Sequence, residues 1–165
     1  MHRLGMALAL VAGLASCASV PAGAEGGARR SAMSVTYETG PCFGACPVYT
    51  VTVRNDGSGT FEGRRFTAVE GRRSFRISPA EYDALLAHLD PIRPERGSVR
   101  YSGDACEQMA TDLPSAEVTW RMLGDGADQL YFYYGCDMEK NRAIAERLNR
   151  VPELLPIGPF IRAAD

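Results

Sequence analysis

Five cysteines are the residues of this 165-residue chain best suited to chemistry. Cys42 and Cys46 sit in the stretch GPCFGACPVYTV, four positions apart, with Pro47 directly after the second. Thiols so spaced can close a disulfide, cycle as a redox pair, or hold a soft metal such as Cu(I) as thiolates. In a fully extended chain their α-carbons would lie roughly 13 Å apart, at about 3.3 Å per residue. A disulfide needs about 4.4–6.8 Å, so the chain must turn between them, and Gly44 permits the turn. On the chain-entropy estimate, closing that small loop is worth roughly 2 kcal/mol, and linking Cys106 to Cys136 roughly 3.5–4 kcal/mol. The preferred pairing is Cys42–Cys46 with Cys106–Cys136. Its main rival ties the Cys42/Cys46 loop to Cys136.

A metal reading would use Cys42, Cys46 and His88, the one histidine outside the leader. The C-x-x-x-C-P motif is similar to that of Sco-type copper chaperones, where it opens a helix in a βαβ setting. Here Pro47 to Val53 alternates like a strand, and His88 falls on the flank of a helical apolar stripe. A thioredoxin-like role fails on the C-x3-C spacing and the missing βαβ pattern. The structural clamp is therefore preferred, with no metal and no cofactor expected, and the thiol-based copper or redox protein is kept as the alternative.

Histidine scarcity removes most other catalytic arrangements. A His-rich zinc site is impossible, and a Ser-His-Asp triad would have to use His88. No Gly-x-Ser-x-Gly or Ser-x-x-Lys pattern is present. Gly124-Asp125-Gly126 lacks the third glycine and helix start of a phosphate loop, and Asn55-Asp56-Gly57 lacks the acidic spacing of a calcium loop. Carboxylates such as Glu62, Glu70, Asp104 and Asp112 could pair only if the fold gathers them. The chain is expected not to be an enzyme.

Two clusters suit binding. Arg64, Arg65, Arg72, Arg73 and Arg76 fall within a short span, and if Phe66, Phe75 and Ile77 point inward, several of these cations share an outer face. Such a face is usually just solvated, but it could hold an anionic polymer or a lipid headgroup. The run Leu130-Tyr131-Phe132-Tyr133-Tyr134 places aromatics on both sides of one strand; it reads first as a central strand covered on one side by helix, with an aromatic binding surface as the alternative. Charge elsewhere is balanced: dropping residues 1–16 removes Arg3 and leaves 17 basic against 20 acidic side chains, net −3. No basic footprint for nucleic acid appears.

The elements that must position these residues begin after a leader. Met1-His2-Arg3, an apolar run and small residues form a secretory signal pattern, too short for a membrane span. Leu14-Ala15-Ser16-Cys17 resembles the lipobox of bacterial lipoprotein precursors. That resemblance implies that Cys17 is acylated and becomes the first mature residue. Ala18 in the next position points to the outer membrane, facing the periplasm. Cleavage after Ala22-Gly23-Ala24 would instead release a soluble periplasmic protein. Either route exports the chain to an oxidising compartment, where the four remaining cysteines can pair. The reading is a signal peptide over 1–16, a flexible tether over 17–33 and a single domain over 34–165.

Within that domain, 35–40 reads as a short strand. Residues 47–63 read as a hairpin around Asp56-Gly57, and 66–78 as two short strands around Glu70-Gly71. Ser78-Pro79-Ala80-Glu81 is a capping box with proline in the first turn. Tyr82, Leu85, Leu86 and Leu89 follow at helical spacing. The stretch 91–112 is irregular, with one strand near Val99 to Tyr101. A second hairpin joins 116–123 to 129–136. A helix is predicted from Met138 to Arg150 with Asp137 as its N-cap, and an extended tail packs through Leu154, Leu155, Ile157 and Phe160. The fold class is α+β, a mainly antiparallel sheet built from hairpins with two amphipathic helices on one face.

Cys42-Phe43-Gly44-Ala45-Cys46-Pro47-Val48-Tyr49 resembles the C-F-G-x-C-P-x-Y signature of the bacterial domain of unknown function 6438. The D-G turn, the strand ending in Glu62-Gly63, the helix start at Ile77 to Tyr82, Thr111 to Pro114, and Gly135-Cys136 extend the likeness over about 34–150. The resemblance implies the fold and an envelope location, and carries no activity. The overall expectation is an envelope lipoprotein, monomeric and held to the membrane by its lipid, that binds an envelope partner. Phe43, Tyr49 and the arginines are its candidate contacts.

Overall fold

The computed structural model describes residues 32–124 and 126–162. The leader, Cys17 and most of the tether lie outside the described residues.

Period-two alternation builds each strand, because successive side chains point to opposite faces. β1 (Ser34–Thr39) buries Val35 and Tyr37, and β2 (Val48–Arg54) buries Val51 and Val53 in register with them. A turn at Asn55 to Gly57, with Gly57 at φ 78°, leads into β3 (Ser58–Arg65), which pairs with β4 (Gly71–Arg76). α1 (Pro79–Leu89) follows, then β5 (Ser98–Tyr101), and the hairpin of β6 (Ser115–Arg121) and β7 (Ala127–Tyr133). The chain finishes with α2 (Arg142–Arg150) and a short α3 (Gly158–Ile161). The strands form one seven-stranded sheet in the order β4-β3-β2-β1-β6-β7-β5, antiparallel except for the β5–β7 pair. The class is α+β, as the hairpin signals predict.

The sheet has two unlike faces. On one, Val35, Tyr37, Val51, Phe61, Val118, Trp120, Leu130 and Phe132 belong to a single buried cluster that also includes Leu85 and Leu89 of α1 and Leu148 of α2. On the other, Ser74, Thr60, Thr52, Thr36, Thr119, Gln129 and Ser98 make one row across all seven strands. Threonine suits a pleated, half-solvated surface. Cross-strand partners there satisfy one another: the Thr36 and Thr52 hydroxyls are 3.0 Å apart, and Gln129 donates to Glu117 at 2.6 Å.

α1 begins at the capping box read from sequence. The Glu81 N–H donates to the Ser78 hydroxyl at 3.2 Å, and the Glu81 carboxylate accepts from the Ser78 N–H at 2.7 Å. The Ser78 N–H bond first, then the bond that the Ser78 hydroxyl donates to the same carboxylate at 2.8 Å, hold the Glu81 pKa below the ordinary carboxylate value. His88 links the helices. Its Nε2 donates to the Arg147 carbonyl at 2.9 Å, while Arg147 returns a bond to the His88 carbonyl at 2.9 Å. A buried ion pair lies under the β6–β7 hairpin: Arg93 Nε and Nη2 donate to Asp128 Oδ2 at 2.9 and 2.8 Å, and Asp128 Oδ1 accepts from the Gly97 N–H at 3.1 Å.

Local structure departs from the sequence reading in three places. Residues 66–70 form no strand: β3 runs on to Arg65, and Phe66, in the left-handed region at φ 55°, turns outward at 52 % exposure. The tail is not extended but folds as a 3₁₀ turn (Val151–Leu154) and α3, with Leu155 and Ile157 buried. Its end holds the 66–70 loop, since the N–H groups of Ala68 and Val69 donate to the carbonyls of Ile161 and Phe160 at 3.1 Å each.

The third departure is Asp137, which does not cap α2. It sits at φ 42°, and its carboxylate accepts from the N–H groups of Gln108 at 2.7 Å and Glu107 at 3.1 Å. Two backbone donors on the 106–109 loop outcompete a helix start, which moves to Arg142. The Gln108 bond first, then the Glu107 bond and the Lys140 charge, hold the Asp137 pKa below the usual carboxylate range. A depressed folded-state pKa contributes stability in full above the unfolded value of about 3.9, and that stability is lost as pH falls through the folded value. Asp137→Asn is therefore expected to flatten the acid limb of the stability profile below about pH 4. Urea midpoints measured down the pH series check this, and an unchanged limb would refute it.

Candidate functional site

Cys42 and Cys46 are bonded to each other, their α-carbons 5.8 Å apart, and Cys106 is bonded to Cys136 at 5.3 Å. The first bond closes the connection between β1 and β2. Gly44 takes φ 145° inside it, a conformation that L side chains rarely adopt. The Thr39 hydroxyl locks the base of the loop, donating to the Pro47 carbonyl at 2.8 Å and accepting from the Tyr49 N–H at 3.0 Å. The Phe43 N–H donates to the Asp112 carbonyl at 3.1 Å, fastening the loop to the segment before β6. The Phe43 ring is left 88 % exposed at the tip. With the sulfurs bonded to each other and the His88 ring nitrogen on a backbone carbonyl, Cys42, Cys46 and His88 offer no thiolate–imidazole set in this state.

Beside this clamp lies a cavity of about 440 Å³ between the end of the sheet and the 149–162 segment. Its floor is aromatic. Tyr37 and Tyr49 line it, 6.2 Å apart between ring centroids, and behind them in the core Tyr49 stacks on Phe61 at 5.3 Å and Phe61 meets Phe160 at 5.4 Å. Tyr134, just past β7, sets its ring edge-on to Phe132 at 5.2 Å and hydrogen-bonds the Tyr37 hydroxyl. Cys46, Pro47, Pro114 and Pro152 form apolar walls, and Asn149, Glu153 and Arg162 supply polar groups. Burial pushes all three phenols upward. Tyr134 reaches about 12 even though its bond to Tyr37 pulls the other way. Tyr37 and Tyr49 are raised as well, by burial first, with like-charge repulsion from Tyr134 adding to it. Each phenol is thus a neutral hydroxyl across the physiological range, a donor and acceptor rather than a base.

Among the residues singled out in the sequence, Tyr49 lines the cavity and Phe43 stands at its clamp. Three of the five arginines, Arg64, Arg72 and Arg76, share the outer, threonine-bearing face, each already engaged by the protein's own groups. Arg64 pairs with Glu38 at 3.0 Å and donates to the Thr50 hydroxyl at 2.9 Å, and Arg72 pairs with Glu62 at 3.5 Å. Arg76 donates to the Asp56 carbonyl at 3.1 Å. Arg73 lies opposite Phe61 in register, on the other face from Arg72, and Arg65 rests over the outward-turned Phe66 ring at 5.5 Å. The candidate carboxylates lie on separate elements: Glu62 in β3, Glu70 in the loop before β4, Asp104 in the turn Gly103–Ala105, and Asp112 before β6.

Sequence reasoning missed Tyr37 and Arg162, and singled out Tyr134 only as the end of the Leu130–Tyr134 aromatic run, which the cavity takes up in part. Tyr37 alternates like any inward residue of its strand. Tyr134 joins it only because β6 lies between β1 and β7, and Arg162 only because the tail folds back.

No curated protein matches the chain. Residues 33–154 match a family model described as Domain of unknown function (DUF6438), with the clamp near the front of the match and Cys136 near its end. The match covers well over half of the 165 residues, and the chain belongs to the DUF6438 family.

Proposed function

We propose that this protein is a lipid-anchored component of the bacterial cell envelope whose domain binds a ligand, without transforming it, in the cavity beside the Cys42–Cys46 clamp. The carrying observation is the cavity itself: a volume of about 440 Å³, within the span typical of small-molecule sites, held by a disulfide on one wall. Paired cysteines suit an exported protein, and the leader with its Leu14-Ala15-Ser16-Cys17 box supplies the route and anchor. Neutral, upward-shifted phenols are poorly matched to proton transfer near neutrality and well matched to hydrogen-bonded recognition. The two helices serve as the backing that keeps the sheet's apolar face, and hence the cavity floor, rigid.

Native mass spectrometry of unreduced protein taken from the envelope tests this reading. The expected species carries diacyl-Cys17, both disulfides and a retained small molecule. Gly158 lines the cavity, and a Cβ added there meets open space, so Gly158→Phe is expected to fold normally and expel that molecule. Replacing Cys42 and Cys46 together by serine is expected to cost about 2 kcal/mol in urea unfolding and to weaken retention. Copper held by Cys42 and Cys46, or a turnover that depends on their thiols, would overturn the proposal.

A further inference from the structure

We infer that the cavity takes a zwitterion with an aromatic or large apolar side chain: an amino acid or a short peptide with both termini free. The inference rests on the cavity being the binding site. It comes from the charges that line it. Arg162 is exposed on one side, its charge acts on the Tyr49 hydroxyl, and among the described residues no carboxylate lies within ion-pair distance of it. Glu153 lines the same cavity and has only a long contact with Arg150, at 3.9 Å between two well-exposed side chains. Exposed pairs of that kind hold their partners weakly. A ligand carrying one sign of charge would satisfy one of these groups and be repelled by the other.

The remaining lining fits the body of such a ligand. A guanidinium fork matches a carboxylate in a bidentate pair. Tyr37, Tyr49 and Tyr134 line the same space, and aromatic rings attract an ammonium group, adding to the pull of Glu153. Pro47, Pro114 and Pro152 with the Cys46 sulfur give apolar surface without donors or charges, suited to a ring or branched side chain. Asn149 presents an amide that can both donate and accept, as a peptide bond requires.

Isothermal titration of the full chain in detergent, with a small set of probes, tests this. The probes are the dipeptide Ala-Phe, its N-acetyl form, its C-terminal amide, and free phenylalanine. Ala-Phe is expected to bind, each capped form at least tenfold more weakly, and comparison with phenylalanine separates a peptide from a free amino acid. Arg162→Gln should erase the difference between Ala-Phe and its amide, and Glu153→Gln the difference between Ala-Phe and its acetyl form. Capped forms that bind as well as the parent, or differences that survive these substitutions, would overturn the inference. So would no binding of any zwitterion. If N-acetylglucosamine or 4-hydroxybenzoate binds instead and Gly158→Phe blocks it, the ligand class is wrong and the cavity remains the site. If Gly158→Phe changes neither probe binding nor the molecule retained from the envelope, both readings fall.

Discussion

Asp128→Ala is expected to lower the free energy of unfolding by about 3–5 kcal/mol, the usual loss when one member of a buried ion pair is removed. Asp128 is 2 % exposed and Arg93 9 %. Arg93 gives two hydrogen bonds to a single Asp128 oxygen, while the other oxygen holds the Gly97 N–H. The guanidinium also touches the Met122 sulfur at 3.1 Å and lies 6.0 Å from the Trp120 ring. Alanine would leave a buried cation without this carboxylate and strip a backbone donor of its acceptor. Arg93→Met combined with Asp128→Leu should restore much of the loss, because a well-packed apolar pair of similar volume often replaces a buried ion pair at little cost. Urea unfolding of the three variants measures it. A loss under about 1 kcal/mol for Asp128→Ala would mean that Arg93 reaches water or another acceptor at little cost.

Removing the Cys106–Cys136 bond ranks second. The loop it closes predicts roughly 3.5–4 kcal/mol, against roughly 2 for the Cys42–Cys46 loop. The native surroundings support the larger figure. Cys136 is fully buried, its carbonyl accepts from the Asn141 amide at 2.9 Å, and it pairs with Met109 across an isolated bridge. The bond adds a covalent tie between the irregular 102–112 segment and the turn after β7, where Asp137 and Gly135 already hold Glu107, Gln108 and Ala110. Cys106→Ala with Cys136→Ala should therefore lower the urea midpoint about twice as far as serine at both Cys42 and Cys46. It should also raise hydrogen exchange at Gln108 and Ala110, whose N–H groups donate to Asp137 and to the Gly135 carbonyl. Equal losses from the two pairs would show that residual structure in the unfolded chain, not loop length, sets their worth.

What sequence could and could not disclose follows the range of the interactions. The Asp56-Gly57 turn and the Ser78–Glu81 cap are local, and each appears where its residues predict it. Asp137 looked like a cap because helix starts are also local signals, but its true partners lie about thirty residues back. The Arg93–Asp128 pair spans 35 positions and reads in sequence as one arginine among many and one turn aspartate. The parallel seat of β5 beside β7 depends on strand order, which pattern alone does not fix. The cavity is hidden for the same reason, since Tyr37, Tyr49, Tyr134 and Arg162 meet only after the sheet order and the tail's return are set.

The two ends of the sheet give the molecule a direction. The chain enters β1 at Ser34, at the end where β2 leaves at Arg54 and β6 at Arg121, while the clamp and cavity lie at the far end, past Thr39. Six residues of strand separate them by about 20 Å. If Cys17 is seated in a bilayer, the fourteen residues from Ala18 to Ser31 can extend by at most about 50 Å, since Ala32 is already packed in the core. The cavity then works at a standoff of up to about 70 Å from the lipid surface. Under that anchoring, chain length between Cys17 and Ala32 sets the reach of the cavity, and deletions within 18–31 would shorten that reach without altering affinity.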